Sequence, residues 1–285
     1  MLKTTVSVNS KTTSNNDKYS KKRGSYPEKN PLLVEGYIFP LPRVLPPLWH
    51  PIEQELRVVF GRLVASLRPA GRLLLKELMQ PSDYEYLLPP GLVLFSGRIF
   101  SKERDQYLPA VFMELVYLGT KFLNLAGDLR GKEQQMFILT GDYLCSHLFH
   151  LLYETEKLFL LERFSALITA MNEGFSSEEK HRLKRSKPGK TEIKEWLHKQ
   201  YGVFYGESCA LGGLFAGCDK REHSLLKEFG TAFGIAYGIH KKGYNLLSAD
   251  EFLEKGFQVL SLLPYSQSRR ELVVFAQRVF EYCSA

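Results

Sequence analysis

The chain has 285 residues, 44% of them hydrophobic, and a formal charge of +7. That composition supplies a sizeable core and excludes a fully disordered or fibrous chain. Residues 1–30 hold seven Lys/Arg against Asp17 and Glu28, so +5 of the charge lies in this stretch. The rest is near neutral, which argues against a nucleic-acid-binding domain. The four cysteines, Cys145, Cys209, Cys218 and Cys283, form no CxxC and have no histidine at zinc-ligand spacing. They read as reduced thiols of a cytoplasmic protein.

In chain order, residues 1–33 read as a disordered basic tail rather than an organellar address. Residues 34–51, rich in proline and aromatics, are expected to form an extended arm on the surface of the domain. From residue 52 to 285 the texture is helical. Leu56, Val59, Phe60, Leu63 and Val64 recur at helical spacing, and the pattern resumes after Pro69. Pro89 and Pro90 suit the first turn of a helix. Further helices are expected at about 107–126, 135–154, 156–174, 191–199, 203–216, 220–240, 249–262 and 267–282. Hairpin turn signals are missing, so the fold class is all-α. Residues 178–192 interrupt the pattern with Lys180, Arg182, Lys184, Arg185, Lys187 and Lys190. They read as a solvated loop, or as a docking patch for an acidic partner or an anionic membrane. No run of eighteen apolar residues marks a membrane span.

Five segments, in order, resemble the trans-polyprenyl diphosphate synthases. YLPAVFMELVYLGTKFLNLAGDL resembles the helix that enters the family's first aspartate-rich motif, AaelIHtasLiHDDxxD. MFILTGDYLCSHLF resembles AILAGDYLLA, with Gly141, Asp142, Tyr143 and Leu144 intact. WLHKQYGVFYGESCALGGLFAG, FGTAFGIAYGIHKKGYN and GFQVLSLLPYSQSRRELVVFAQRVF resemble the KTA helix, the second motif FGxxLGxAFQIxDDxxD and the C-terminal helix pair. The resemblance implies an isoprenoid-synthase-type helical bundle around a central cavity. In that family, aspartates on two facing helices hold Mg²⁺, which clamps a diphosphate so that the allylic C–O bond can break.

This chain departs from the family at those places. The first motif's aspartates correspond to Asn124, Leu125 and Asp128, and the second motif's to Lys241, Lys242 and Asn245. The Lys-Thr of KTA corresponds to Gln200 and Tyr201, the FQ glutamine to Gly238, and the Gly-Lys-Arg stretch to Glu85, Tyr86 and Leu87. Arg130-Gly131-Lys132 resembles a remnant of an RRGKP loop. Two unit charges 4 Å apart at an effective dielectric of 20 interact by about 4 kcal/mol, so two ammonium groups would expel a divalent ion. The expectation is therefore that Mg²⁺ binding is lost, with no cofactor and no catalytic residue. Lys241 and Lys242, with Arg130, are candidates for holding a diphosphate without metal; the plainer reading makes the lysines helix-end charges. Asp128 is either a leftover ligand or a helix-end charge beside Arg130. Gly119 and Thr120 correspond to tunnel-floor positions of the family, or serve close helix packing. His147 and His150 read as packed or surface histidines.

The implied function is a non-catalytic subunit that pairs with an active trans-polyprenyl diphosphate synthase and tunes its stability or product length. The alternatives are a stand-alone, metal-independent binder of prenyl diphosphates or prenyl chains, and a weak, divergent prenyltransferase. The implied partners are such a synthase or a second copy, with a prenyl chain in the cavity.

Overall fold

The computed structural model describes residues 41, 45–69, 71–72, 84–100, 106–184 and 187–284, the side chains of 282–284 excepted. The predicted tail at 1–33, most of the arm and the continuation beyond residue 72 lie outside them. The helices are α1 (Glu53–Ser66), α2 (Leu88–Arg98), α3 (Tyr107–Ala126), α4 (Gly131–Glu154), α5 (Leu161–Lys184), α6 (Lys190–Leu197), α7 (Val203–Ala216), α8 (Lys220–Lys242), α9 (Ala249–Ser261) and α10 (Gln267–Ser284). A π-helical turn, His198–Gly202, joins α6 to α7. No strand occurs among the described residues.

The bundle is built on α3, α7 and α8. Helix α3 is apolar over nearly all of its 20 residues and is long enough to cross a membrane, yet the bundle buries most of it. It lies along α4, while α7 packs on α2 and α8, and α9 covers α8. Glycines set how close α7 and α8 come. A Cβ added at Gly234 would collide with the Tyr201 carbonyl oxygen and lie 2.8 Å from its carbon. At Gly230 it would lie 2.9 Å from both Cys209 Sγ and the Gly206 Cα. Backbone therefore packs on backbone, and only a residue without a side chain fits. The ends of α8 are as firmly specified. Asp219 Oδ1 accepts from the Glu222 amide at 2.7 Å, and Glu222 Oε2 accepts from the Asp219 amide at 2.8 Å, a reciprocal cap. Gly243, at φ 66°, ends the helix in the left-handed region that glycine alone enters freely.

Three expectations need correction. The end of the arm is not extended: Pro47–Ile52 forms a 3₁₀ helix, with Pro46 and Pro47 supplying the fixed φ that its first turn needs. Nor is it superficial, because Leu45 and Trp49 are each 1% exposed within the core. The charged stretch at 178–192 is mostly helix: α5 runs on to Lys184, where His181, Arg182 and Lys184 face the negative end of its dipole, and α6 starts at Lys190. The helix expected from 156 begins at Leu161 instead. Glu156, at φ 57°, turns the chain, and a 3₁₀ turn Leu158–Leu160 precedes α5.

Candidate functional site

The C-terminal ends of α3, α5 and α8 converge on a cleft of about 520 Å³. Asn124, Leu125 and Asp128 line it from α3 and the turn that follows, and Lys242 from α8. Residues 124–128 and Lys242, more than a hundred residues apart in sequence, thus meet. Glu178, Glu179 and Arg182 complete its charged wall from α5, and Leu123 and Phe175 add apolar lining. Arg130 turns back to the carbonyls of Gly127 and Leu129, at 3.2 and 2.7 Å, and so closes the end of α3. Asn245 is exposed in the turn beyond Gly243, outside the cleft lining.

Glu178 is the hub. Its Oε2 accepts from Lys242 Nζ at 2.9 Å and from Gln200 Nε2 at 2.7 Å. Its Oε1 accepts from the Tyr244 hydroxyl at 2.7 Å and from Lys242 Nζ at 3.2 Å. Burial pushes the carboxyl up, but the hydrogen bonds from Tyr244, Lys242 and Gln200 outweigh it, and the group lies below the usual glutamate range. Lys241 pairs with Glu85, in the 3₁₀ turn Tyr84–Leu87, and its ammonium stands 6.0 Å from the centre of the Tyr237 ring. Burial, then Glu85 and Glu178, push the Tyr201 phenol up. Asp128, largely exposed, takes Arg182 as its partner at 3.8 Å rather than Arg130.

Among the described residues no three His, Cys, Asp or Glu side chains are grouped to hold a metal ion. At the six positions that correspond to the family's aspartates stand two amides (Asn124, Asn245), an alkyl chain (Leu125), two ammonium groups (Lys241, Lys242) and one carboxylate (Asp128), whereas Mg²⁺ needs oxygen ligands. The charges along the cleft are mixed. Asp128, Glu178 and Glu179 outnumber Arg182 and Lys242 along its wall, and each of Lys241 and Lys242 already has a carboxylate.

The other predicted residues serve packing. A Cβ on Gly119 would lie 2.8 Å from Cys145 Sγ, so this glycine lets α3 and α4 approach. The Thr120 hydroxyl is buried and donates to the Val116 carbonyl at 2.7 Å. His147 Nε2 meets the Ser66 hydroxyl at 2.9 Å, and His150 lies 3.2 Å from Glu154. Sequence reasoning missed Glu178 and Tyr244. A signal for Glu178 existed: Phe164, Leu167, Met171 and Gly174 form the buried stripe of α5, and Glu178 continues it by one turn. It also missed Glu114, fully buried on α3 with neither carboxylate oxygen hydrogen-bonded. Burial pushes its carboxyl well above the usual range, against a smaller opposite pull from Lys121.

This architecture matches solved structures over most of its length. A decaprenyl diphosphate synthase from Rhodobacter capsulatus superposes with a TM-score of 0.71 at 15% identity, over 83% of this chain and 98% of that one. A geranylgeranyl pyrophosphate synthetase from the archaeon Geoglobus acetivorans gives 0.69 at 17% identity, over 82% and 98%. The chain has the trans-prenyl diphosphate synthase fold. A deletion mutant of the heterotetrameric geranyl pyrophosphate synthase of mint has it too, with a TM-score of 0.64 at 18% identity, over 81% of this chain and 99% of that one. No protein-family model matches the chain, and no curated protein matches it in sequence. On this fold, the cleft is the place where residues 124–128 meet Lys242.

Proposed function

We propose that the chain is a non-catalytic subunit that pairs with an active trans-prenyl diphosphate synthase and tunes its stability or the length of its product. One observation carries this reading: the Lys242–Glu178 ion pair spans the cleft between α8 and α5, where ionising an allylic diphosphate calls for carboxylates free to bind metal. The helices that build the bundle are intact around it. A heterotetrameric synthase of the same fold is consistent with assemblies of unlike chains. Cys145, Cys209 and Cys218 are free thiols, which fits a reducing cytoplasm. The paired lysines weigh against stand-alone grip on a diphosphate, and the missing carboxylates weigh against residual turnover.

The test is a condensation assay with Mg²⁺, isopentenyl diphosphate and farnesyl diphosphate. The purified chain is expected to form no product alone, and to shift the rate or product length of a competent synthase when the two are mixed. Turnover by the chain alone would sink the proposal. So would a mixture with neither altered products nor co-purification.

A further inference from the structure

A second cleft, of about 410 Å³, lies between the 3₁₀ helix Pro47–Ile52 and α10 and shares no residue with the first. Its floor is aromatic and tightly packed. The buried Phe275 ring stands 4.7 Å from Phe95 and 5.3 Å from Trp49, centre to centre. Pro51 and Val274 form its apolar sides, and Val274 is 42% exposed. Arg270 and Arg278 flank it, each four residues from Val274 on α10, so the three share one face of the helix. Eight helical residues set the two arginine α-carbons about 12 Å apart.

The local charges leave both arginines available. The Glu271 carboxylate at the edge of the cleft is engaged elsewhere: its Oε2 lies 3.9 Å from Arg98 Nη1, and its Oε1 accepts from Gln267 Nε2 at 3.1 Å. Among the described residues no carboxylate pairs with Arg270 or Arg278. Arg270 is held over the Tyr265 ring, 5.4 Å from its centre, which lowers the ordering cost of binding. An apolar slot between two cations calls for the inverse ligand, an apolar group between two anions. A lipid carries its charge at one end and does not match cations this far apart. In an extended peptide alternate side chains share a face, at about 3.3 Å per residue, so the pattern acidic-x-apolar-x-acidic spans about 13 Å. An α-helix, about 10 Å across, is too broad for the slot. This chain does not supply the segment itself. Residues 1–30 are strongly positive, and two facing copies of the cleft would set arginine against arginine. The pattern occurs once in the sequence, from Asp250 through Phe252 to Glu254, and there it lies within α9.

We infer that this cleft docks an extended acidic segment of a partner protein, with an apolar side chain over Phe275 and a carboxylate on each of Arg270 and Arg278. The inference goes beyond the pairing with a synthase and is tested on the chain alone, so either can fail without the other. The probe is the dye-labelled peptide GSESFSESG, titrated with the full chain and read by fluorescence anisotropy. Saturable one-to-one binding is expected, at least ten times weaker for GSKSFSKSG and GSESSSESG carrying the same dye. The double substitution Arg270→Glu/Arg278→Glu should weaken GSESFSESG by at least the same factor and bind GSKSFSKSG in its place. Its thermal midpoint should not change, since both side chains are exposed. Val274→Asp, which puts a like charge in the slot, should weaken GSESFSESG whether or not the double variant folds. Absence of saturation up to about 2 mM overturns the inference, and occupation of the cleft by a second copy or by the chain's own N-terminal residues would give that result. A serine peptide that binds equally well overturns it too, as does an affinity that neither variant changes.

Discussion

The seam between α7 and α8 and the cleft at the far end of α8 belong to one helix and obey different physics. In the seam, Gly230 and Gly234 bring backbone against backbone, and no side chain can be added without moving a helix. At the end of α8, Lys242 in the cleft and Lys241 beside it hold Glu178 and Glu85 through long lysine side chains that are partly solvated, while the carboxylates are largely buried. Packed interiors resist even one methyl group, whereas an ion pair reached by water on its lysine side is partly screened. Fold and cleft chemistry are therefore separable here: the charges at the end of α8 can change sign while the bundle stays put.

Substitutions can break or sharpen that contrast. Gly234→Ala should do the most damage, because its methyl meets the Tyr201 carbonyl. Overpacking of this kind costs about 2–3 kcal/mol, or about 5–10 °C in a chain of this size, read by thermal melting. An unchanged midpoint would mean that the two helices are less tightly held than described.

Next in size is Glu114→Gln, with the opposite sign. A buried carboxyl without partners is costly when ionised, so the variant should gain about 1–2 kcal/mol at neutral pH. The folded-state pKa of Glu114 is raised. The folded chain thus binds the extra proton, and stability falls as pH rises from the ordinary glutamate value towards the raised one. The gain in Glu114→Gln should accordingly vanish at pH below about 4.

Glu178→Gln should cost about 1–2 kcal/mol by removing charge-assisted hydrogen bonds. Its pKa is lowered in the folded state, so its contribution is present above the ordinary glutamate pKa and is lost as pH falls through the depressed value. Denaturant melts of the two variants from pH 3 to 7 should diverge from the parent with opposite slopes. Parallel curves would contradict both assignments. Lys241→Ala should cost about 1 kcal/mol, because its ammonium is partly exposed but its removal takes this partner from the largely buried Glu85 carboxylate. Arg182→Ala should leave the midpoint unchanged, as both partners of its Asp128 contact are solvated.

The helices were readable because their signals are local. Helix α3 runs from 107 to 126 as its apolar run indicates, α7 stops before Gly217 at φ 85°, and α8 starts behind the Asp219 cap. The meeting of the two altered motifs followed from resemblance, not from any local pattern. What occupies their meeting place was not readable. Glu85 stands 156 residues from Lys241 and Glu178 64 from Lys242, and charge composition carries no information on partners. The same gap made 178–192 look like a basic loop, although its first residue points inward and the next six remain helical.

The π-helical turn at His198–Gly202 carries one residue more than an α-helical turn of the same rise. The rod from Lys190 to Ala216 thus runs in two angular frames, offset by about 100°. Excising a single residue there would straighten the helix, yet would swing either Gln200 away from Glu178 or Tyr201 away from Gly234. The surplus residue works as a spacer that lets one continuous rod serve two neighbours it could not otherwise face together.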